Sequence, residues 1–330
     1  ERAAGPEDAS RIVPLNNLAR AQRALGMLRE AEESFKKAVA LSEKAAGSGN
    51  PLLPALLNNL ANLYRESGRL DEAASLFEKD LAISVRFFGS RDASVAVTLN
   101  NLANVRRDQG RFAEAEPLYK RAMAIHGTKG GDRLSVATSL NNLAGLYHEQ
   151  GRYSEAEALY RRSLLAAEKA HGRAHPSIVV PLNNLANACK RQGRYSEAEA
   201  LYELALGIHE KSPEAKAADL AVVLNNLANL YRLQGRLEEA EGLYLRDIRI
   251  TQERLGPKHR NMAVSLNNIG GLYRGQGRYA SAEEAFRKAL SVLDVSSASD
   301  HPSAAVALAN LAETFRLDGK SGEAEPLYER

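Results

Sequence analysis

The chain is predicted to be an all-α, right-handed superhelical solenoid of eight helix-turn-helix repeats within its 330 residues. Two spacings and one pattern predict this fold. An asparagine in an apolar phrase recurs every 42 residues, with one step of 41, and a glycine follows it nine residues later. Within each repeat, apolar residues follow the 3.6-residue period of a helix. The asparagines are Asn17, Asn59, Asn101, Asn142, Asn184, Asn226, Asn268 and Asn310, and the glycines are Gly26, Gly68, Gly110, Gly151, Gly193, Gly235, Gly277 and Gly319.

The first helix of each repeat is defined by an apolar stripe. In the second repeat Leu57, Leu60, Ala61 and Tyr64 stand at i, i+3, i+4 and i+7, which places them on one side of a helix. Gly68 is predicted to end this helix, because glycine adopts the left-handed conformation of a helix C-terminus without strain. The stripe therefore predicts the side of the first helix that is buried.

The second helix is predicted to begin at a serine. The segments 154–157 and 196–199 both read Ser-Glu-Ala-Glu, which fits a capping box. Its apolar stripe runs through Ala156, Leu159 and Tyr160. A polar connector leads into the next repeat, where Pro176 suits the first helical turn.

The repeat spacing also predicts the domain organisation. Residues 1–10 form an N-terminal arm, and residues 11–330 form a single array. The approximate units are 11–50, 51–92, 93–132, 133–174, 175–216, 217–258, 259–300 and 301–330.

Composition limits the classes of function. Hydrophobic residues make up 44% of the chain but aromatic residues only 6%, so leucine and alanine are expected to fill a closely packed helical interior. The net charge of +3 comes from 44 basic and 41 acidic residues, which is too balanced for a general nucleic-acid binder. A single cysteine, Cys189, excludes an internal disulfide and fits a reducing compartment. With no signal peptide and no apolar run near the ~18 residues of a membrane span, we expect a cytoplasmic protein.

Residues Leu60–Ile83, LANLYRESGRLDEAASLFEKDLAI, resemble a tetratricopeptide repeat. The resemblance rests on Leu60, Ala61 and Tyr64 in the first helix and on Ala73 and Phe77 in the second. The period exceeds the usual ~34 residues. Together with the NNLA phrases and the His-Pro connectors at 175–176 and 301–302, it makes the array similar to the cargo-binding repeats of kinesin light chain and its bacterial relatives. This resemblance implies that the first helices line a concave groove.

Asparagines form two columns on the side opposite the core stripe. Helical geometry places Asn59 and Asn62 there, and the other repeats follow. An amide both donates and accepts hydrogen bonds, so we expect these side chains to bind the backbone of an extended peptide. The alternative is that they bond neighbouring repeats or the helix backbone. The expected peptide-binding asparagines are Asn59, Asn62, Asn101, Asn104, Asn142, Asn184, Asn187, Asn226, Asn229 and Asn268.

A third column is basic and lies three residues beyond the later asparagine. The kinesin light chain repeats use matching arginines against acidic peptides, and the resemblance implies the same role here. The alternative is a solvated row of charges that pair with glutamates such as Glu66 and Glu149. The column is Arg23, Arg65, Arg107, His148, Lys190, Arg232, Arg274 and Arg316, and the members expected to bind peptide are Arg65, Arg107, Lys190, Arg232 and Arg274.

Motifs for catalysis are not expected. Residues 319–321, Gly-Lys-Ser, echo the end of a phosphate-binding loop, but the first glycine of that loop and its preceding strand are missing. His171 and His175 lie in a connector without a third ligand. Cys189 replaces the tyrosine of the core stripe and is expected to be buried. We therefore predict no enzyme activity, no metal and no cofactor.

The favoured function is a non-enzymatic protein-interaction scaffold that binds an extended acidic peptide in its groove. One alternative is a sensor or regulatory array of a larger signalling or enzymatic protein. Another is a scaffold that self-associates through the ends of the array. RNA binding is the least favoured, because the groove columns offer few aromatic side chains for base stacking. The expected partner is thus a protein or peptide, with no nucleic acid and no membrane.

Overall fold

The computed structural model describes residues 9–46, 50–128, 132–212, 217–293 and 302–330, so residues 1–8 of the predicted arm lie outside the described residues. These ranges form helices and turns, without a strand, and they divide into two compact units at residues 170 and 171. Unit 1 contains four helix pairs: α1 (Ile12–Ala24) and α2 (Leu28–Ala46), α3 (Leu53–Glu66) and α4 (Leu70–Phe88), α5 (Ala93–Asp108) and α6 (Phe112–His126), α7 (Arg133–Glu149) and α8 (Tyr153–His171).

Unit 2 also contains four helix pairs, preceded by a short 3-10 helix, Pro176–Ile178, that the proline opens as expected. The pairs are α9 (Val179–Arg191) and α10 (Tyr195–Glu210), α11 (Ala217–Leu233) and α12 (Leu237–Arg254), α13 (Arg260–Gly275) and α14 (Tyr279–Val292), α15 (Pro302–Leu317) and α16 (Ser321–Glu329). The prediction of an all-α fold of helix-turn-helix repeats is confirmed. In neither unit is any described helix both long and apolar enough to cross a lipid bilayer.

The turn inside each pair depends on the recurring glycine. Gly68 has a φ of +76°, and the glycines at the same position of the other repeats share this left-handed conformation. It lets the backbone N–H of Arg69 donate to the carbonyl oxygen of Tyr64 (2.9 Å), which satisfies a carbonyl at the end of α3. The predicted role of the glycine is confirmed.

The predicted start of the second helix is one residue too late, and its predicted serine cap is wrong. Helix α10 begins at Tyr195 rather than at Ser196, and its N-cap residue is Arg194, without a side-chain capping bond. Arg194 instead pairs with Glu197 across the first turn (3.0 Å). The chain enters this helix directly from the tight glycine turn, so no residue is left between the turn and the helix to act as a serine cap.

The core follows the predicted stripes. Leu57, Leu60, Ala61 and Tyr64 are all buried, and so are Ala73 and Phe77 of the facing helix. Within each unit, a first helix packs against its own second helix and against the first helix of the next repeat. Within each unit, a second helix also packs against the next first helix. The first helices of one unit thus stand side by side and leave one face of each uncovered.

A tyrosine, an arginine and a glutamate link successive repeats. The guanidinium of Arg69 lies 3.9 Å from the centre of the Tyr64 ring, and it donates to Glu32 of the preceding repeat (2.8 Å). The Tyr64 hydroxyl donates to the same glutamate (3.1 Å). This arrangement recurs at Tyr147, Arg152 and Glu116, and at Tyr273, Arg278 and Glu241. It fixes the position of one repeat on the next.

Two buried aspartates make a second kind of link. Asp80 of α4 accepts hydrogen bonds from Asn58 (3.1 Å) of its own repeat and from Thr98 (2.9 Å) of the next. Asp247 of α12 accepts in the same way from Asn225 and Ser265. Burial raises the pKa of both carboxyl groups, and that of Asp247 reaches about 6. A buried carboxylate held only by neutral donors is costly, so these links favour specific packing over maximal stability.

Candidate functional site

The uncovered side of the first helices, which we call the first-helix face, carries the predicted columns. On α11 it presents Val222, Asn226, Asn229 and Arg232, which are four, three and three residues apart and so lie along one side of the helix. Ten residues separate the first from the last, which is about 15 Å of helix. The first-helix face therefore has an apolar edge, a central strip of amides and a basic edge.

In five repeats the second asparagine position donates a hydrogen bond to the first asparagine of the preceding repeat. Asn226 donates to Asn183 (2.9 Å) and Asn268 to Asn225 (2.7 Å), each 43 residues away. In unit 1, Asn59 donates to Asn16 (2.9 Å) and Asn101 to Asn58 (3.3 Å). A bond between neighbouring repeats is the role that the sequence left open as the alternative to peptide binding.

The bond uses only part of each amide. Among the described residues, Asn59, Asn101, Asn226 and Asn268 donate one amide hydrogen, while the carbonyl oxygen and the second hydrogen form no other bond. All four side chains are half-buried, as is Asn142 at the same position of α7. Asn184 of α9 accepts from Asn183 (3.3 Å). Asn59, Asn101, Asn226 and Asn268 are thus fixed in place and retain bonding groups.

The later asparagines satisfy buried groups of their own repeat. Asn104 accepts from the hydroxyl of Tyr119 and Asn187 from that of Tyr202, both at 2.7 Å. Buried hydroxyls need such partners, and burial raises the pKa of Tyr119 to about 12. Asn62 and Asn229 instead donate to the backbone carbonyl four residues earlier, each at 2.9 Å. Each of these four amides therefore uses either its oxygen or its NH2 group in a structural hydrogen bond within its own repeat.

The basic column is neutralised in unit 1. The guanidinium of Arg23 lies 2.5 Å from Glu66, that of Arg65 lies 2.6 Å from Asp108, and that of Arg107 lies 3.6 Å from Glu149. In each case the carboxylate belongs to the next repeat and directly follows that repeat's own cation in sequence. Arg65 and Arg107 thus form ion pairs within the chain, which is the alternative to peptide binding that the sequence left open for the basic column.

In unit 2 the same partner position carries no carboxylate. Leu233, Gly275 and Leu317 stand where unit 1 has its acidic residues, opposite Lys190, Arg232 and Arg274. Among the described residues, Lys190 and Arg232 have no ion pair. Arg274 donates to the backbone carbonyl (3.3 Å) and the side-chain oxygen (3.1 Å) of Asn310, which are neutral. Arg316 pairs with Glu313 of its own helix (2.7 Å), whereas the charges of Lys190 and Arg232 are left without an ion pair among the described residues.

The pKa of Lys190 shows the effect of having no carboxylate partner. Its side chain is half-buried, with the ammonium 5.8 Å from the centre of the Tyr202 ring. Burial, together with the positive charges of Arg191 and Arg232, lowers the pKa of Lys190 to about 8. An ammonium in this position would be stabilised by a negative group.

A column of exposed valines was missed in the sequence. Val180, Val222, Val264 and Val306 lie one helical turn before the second asparagine position of their repeats and are 41–52% exposed. In unit 1 the column is interrupted, because residues 55 and 138 are alanine and threonine. The signal that could have revealed it is the spacing of 42 residues between these valines, which lie outside the core stripe.

Three residues were candidates for chemistry: Cys189, His171 and His175. Cys189 is fully buried, as predicted. His171 Nδ1 lies 3.2 Å from His175 Nε2, so the two imidazole rings are hydrogen-bond partners of each other. Neither observation adds a catalytic group to the first-helix face.

Comparison with known families gives one consistent result. Two family models, both described as tetratricopeptide repeat, match the chain. The first matches residues 52–126, 94–164, 135–211 and 219–294, and the second matches residues 16–84 and 267–330. A comparison with curated proteins gives no match.

Solved structures show the same repeat architecture. The TPR-like, nearly identical repeats of a candidate kinesin light chain of Podosopora anserina are 28% identical, with a TM-score of 0.53 over 63% of this chain and 99% of that one. BtubC (BKLC) of P. vanneervenii is 24% identical, with a TM-score of 0.53 over 73% and 88%. A tetratricopeptide repeat protein of Parabacteroides merdae is 20% identical, with a TM-score of 0.58 over 93% and 98%. The chain is a member of the tetratricopeptide-repeat family, with neighbours that include kinesin light chain-like proteins.

Proposed function

We propose that the chain is a non-enzymatic interaction module that binds an extended, acidic peptide segment on its first-helix face. The observation that carries the proposal is the set Asn59, Asn101, Asn226 and Asn268, whose amides are held by bonds between repeats and, among the described residues, still keep an oxygen and a hydrogen that form no other bond. Tetratricopeptide repeats generally mediate protein–protein interactions, and the proposal adds the kind of segment that is bound.

The asparagine column suits a peptide backbone. Each backbone unit offers one N–H and one carbonyl oxygen, and the free oxygen and hydrogen of Asn226 and Asn268 complement these groups. Because the neighbouring repeat already fixes each amide, binding costs little additional side-chain entropy. Backbone recognition of this kind explains how one column could hold segments of varied sequence.

The basic edge supplies the preference for acidic side chains. Lys190, Arg232 and Arg274 lie beside the asparagine column, without a carboxylate partner among the described residues. A charge-assisted hydrogen bond to an incoming carboxylate is stronger than one between neutral groups. Arginine is especially suited, because its planar fork can hold both carboxylate oxygens.

The proposal is tested by selecting ligands from a displayed library of random 12-residue peptides and measuring their affinity by fluorescence anisotropy. Peptides rich in aspartate and glutamate are expected to be enriched. For the enriched peptides, the double variant Asn226→Ala/Asn268→Ala is expected to bind at least about tenfold more weakly, because two backbone contacts are lost at roughly 1 kcal/mol each.

A matched control is available on the second helices. Gln252 of α12 is an exposed amide, so Gln252→Ala removes the same chemical group away from the first-helix face. It should leave affinity unchanged, and circular dichroism should show all variants folded. Failure to enrich any peptide, or equal affinity of the double variant and wild type, would refute the proposal.

A further inference from the structure

We infer that the ligand site lies on unit 2 and takes an extended segment in which acidic and apolar side chains alternate, with the acidic ones at Lys190, Arg191 and Arg232. This inference rests on the proposed function and names the part of the array and the class of ligand. Two features that unit 1 lacks coincide on unit 2: uncompensated cations and an uninterrupted valine column.

The first feature is the residue that faces each cation of the basic column from the next repeat, which is acidic in unit 1 and not acidic in unit 2. In unit 1 the residues after the cations are Glu66, Asp108 and Glu149, which already occupy the guanidinium groups of the preceding repeats. A ligand carboxylate would have to displace them. In unit 2 the corresponding residue opposite Lys190 is Leu233, which is 56% exposed and leaves the ammonium without a carboxylate.

Three cations surround this position. Arg191 and Arg232 are exposed, and both repel the charge of Lys190 strongly enough to contribute to its lowered pKa. Among the described residues, none of the three forms an ion pair. A carboxylate bound here would relieve the mutual repulsion of three like charges, whereas one bound in unit 1 would add to an existing group of paired charges.

The second feature gives the other half of the ligand. Val180, Val222, Val264 and Val306 form an exposed apolar column in four successive repeats. A chain extended along the asparagine column has this apolar edge on one side and the basic edge on the other. Because successive side chains of an extended chain point to opposite sides, one set would meet valines and the next set would meet cations. The segment is therefore expected to alternate apolar and acidic residues.

The test uses peptides enriched on the wild-type protein and two substitutions of one exposed residue. Leu233→Glu places a carboxylate opposite Lys190, as Asp108 is placed opposite Arg65, while Leu233→Gln has the same shape without charge. Leu233→Glu is expected to weaken binding about tenfold or more, and Leu233→Gln less than about twofold, since only the first supplies a competing anion. In unit 1, Arg23→Gln is expected to change affinity less than about twofold, because Glu66 already occupies that guanidinium.

The outcomes separate this inference from the proposed function. If Leu233→Glu binds as tightly as Leu233→Gln while Asn226→Ala/Asn268→Ala is impaired, the location is wrong and peptide binding stands. Enriched peptides without alternating acidic and apolar residues would overturn the ligand class. If a single-stranded RNA 20-mer bound more tightly than any peptide and Leu233→Glu abolished it, the site would be a phosphate site and the inference would be overturned. Failure to enrich any peptide would overturn both proposals.

Discussion

At the residue scale, the asparagines bond neighbouring repeats, and this role is compatible with the peptide binding that we propose for them. Asn226 bonds Asn183 of the preceding repeat, and this bond leaves half of its amide available. A helix pays a small propensity cost for asparagine, and the bond between repeats offsets it. The repetition of the NNLA phrase is thus explained by packing, while the free half of the amide is what the proposed peptide binding needs.

Asp247 predicts a pH-dependent stability. Its pKa is about 6 in the folded chain, above its ordinary value near 3.8, because it is buried. The folded state therefore holds this proton more tightly, so the stability contributed by the protonated acid is full below pH ~4 and is lost as pH rises through ~6. A difference of about two pKa units corresponds to roughly 3 kcal/mol.

The measurement compares wild type with Asp247→Asn, which cannot titrate, by thermal unfolding between pH 4.5 and 7.5. Wild type is expected to lose stability relative to the variant as pH rises, by roughly 2 kcal/mol over this range, because part of the contribution is already lost below pH 4.5. Other carboxyl groups titrate equally in both proteins and cancel in the difference. A difference in melting temperature that stays constant over this range would show that the carboxyl is not perturbed.

At the element scale, the packing of α13 on α14 depends on one glycine. A Cβ atom added to Gly270 would lie 2.8–3.0 Å from three carbons of the Phe286 ring, whereas one added to Gly271 would meet nothing within 4 Å. In other repeats this position is an alanine, such as Ala61 or Ala103. The glycine therefore allows the phenyl ring to approach the helix more closely.

Two neighbouring substitutions test this packing. Gly270→Ala is expected to destabilise the chain by about 1–3 kcal/mol through overpacking. Gly271→Ala is expected to stabilise it by about 0.5–1 kcal/mol, because alanine restricts the unfolded chain and favours a helix. Chemical denaturation gives the change in the free energy of unfolding for each variant. A change in the same direction for both would contradict the close contact between Gly270 and Phe286.

The elements also show what the sequence could and could not predict. Periodicity located the helices and the buried stripe, because these depend on neighbours three and four residues apart. The bond from Asn226 to Asn183 and the pair of Arg65 with Asp108 depend instead on how far one repeat is offset from the next. That offset follows from packing between helices. The sequence could therefore predict the columns, but not which of their side chains already have a hydrogen-bond or ion-pair partner in the neighbouring repeat. The serine caps were misplaced for a related reason, since the turn leaves no room for them.

At the scale of the whole molecule, a nearly neutral chain conceals an uneven distribution of charge. Each repeat supplies one residue to the basic column, and the residue after the column member of the next repeat decides whether that charge is compensated. Carboxylates fill this position through unit 1, while Leu233, Gly275 and Leu317 fill it in unit 2. Two units of one fold can therefore differ in ligand preference without any difference in architecture.

The central claim is that the first-helix face of unit 2 attracts acidic segments, and one pair of charge reversals tests it most directly. Arg232 lies on the first-helix face, while Arg249 lies exposed on the second helix α12. Arg232→Glu and Arg249→Glu change the net charge equally, so the general field of the protein is altered alike. The affinity of an enriched acidic peptide is measured for both by fluorescence anisotropy at physiological salt, where screening acts over ~8 Å. The account predicts at least about a tenfold loss for Arg232→Glu and less than about threefold for Arg249→Glu. An equal loss for both would contradict it, since the attraction would then belong to the whole protein and not to this face.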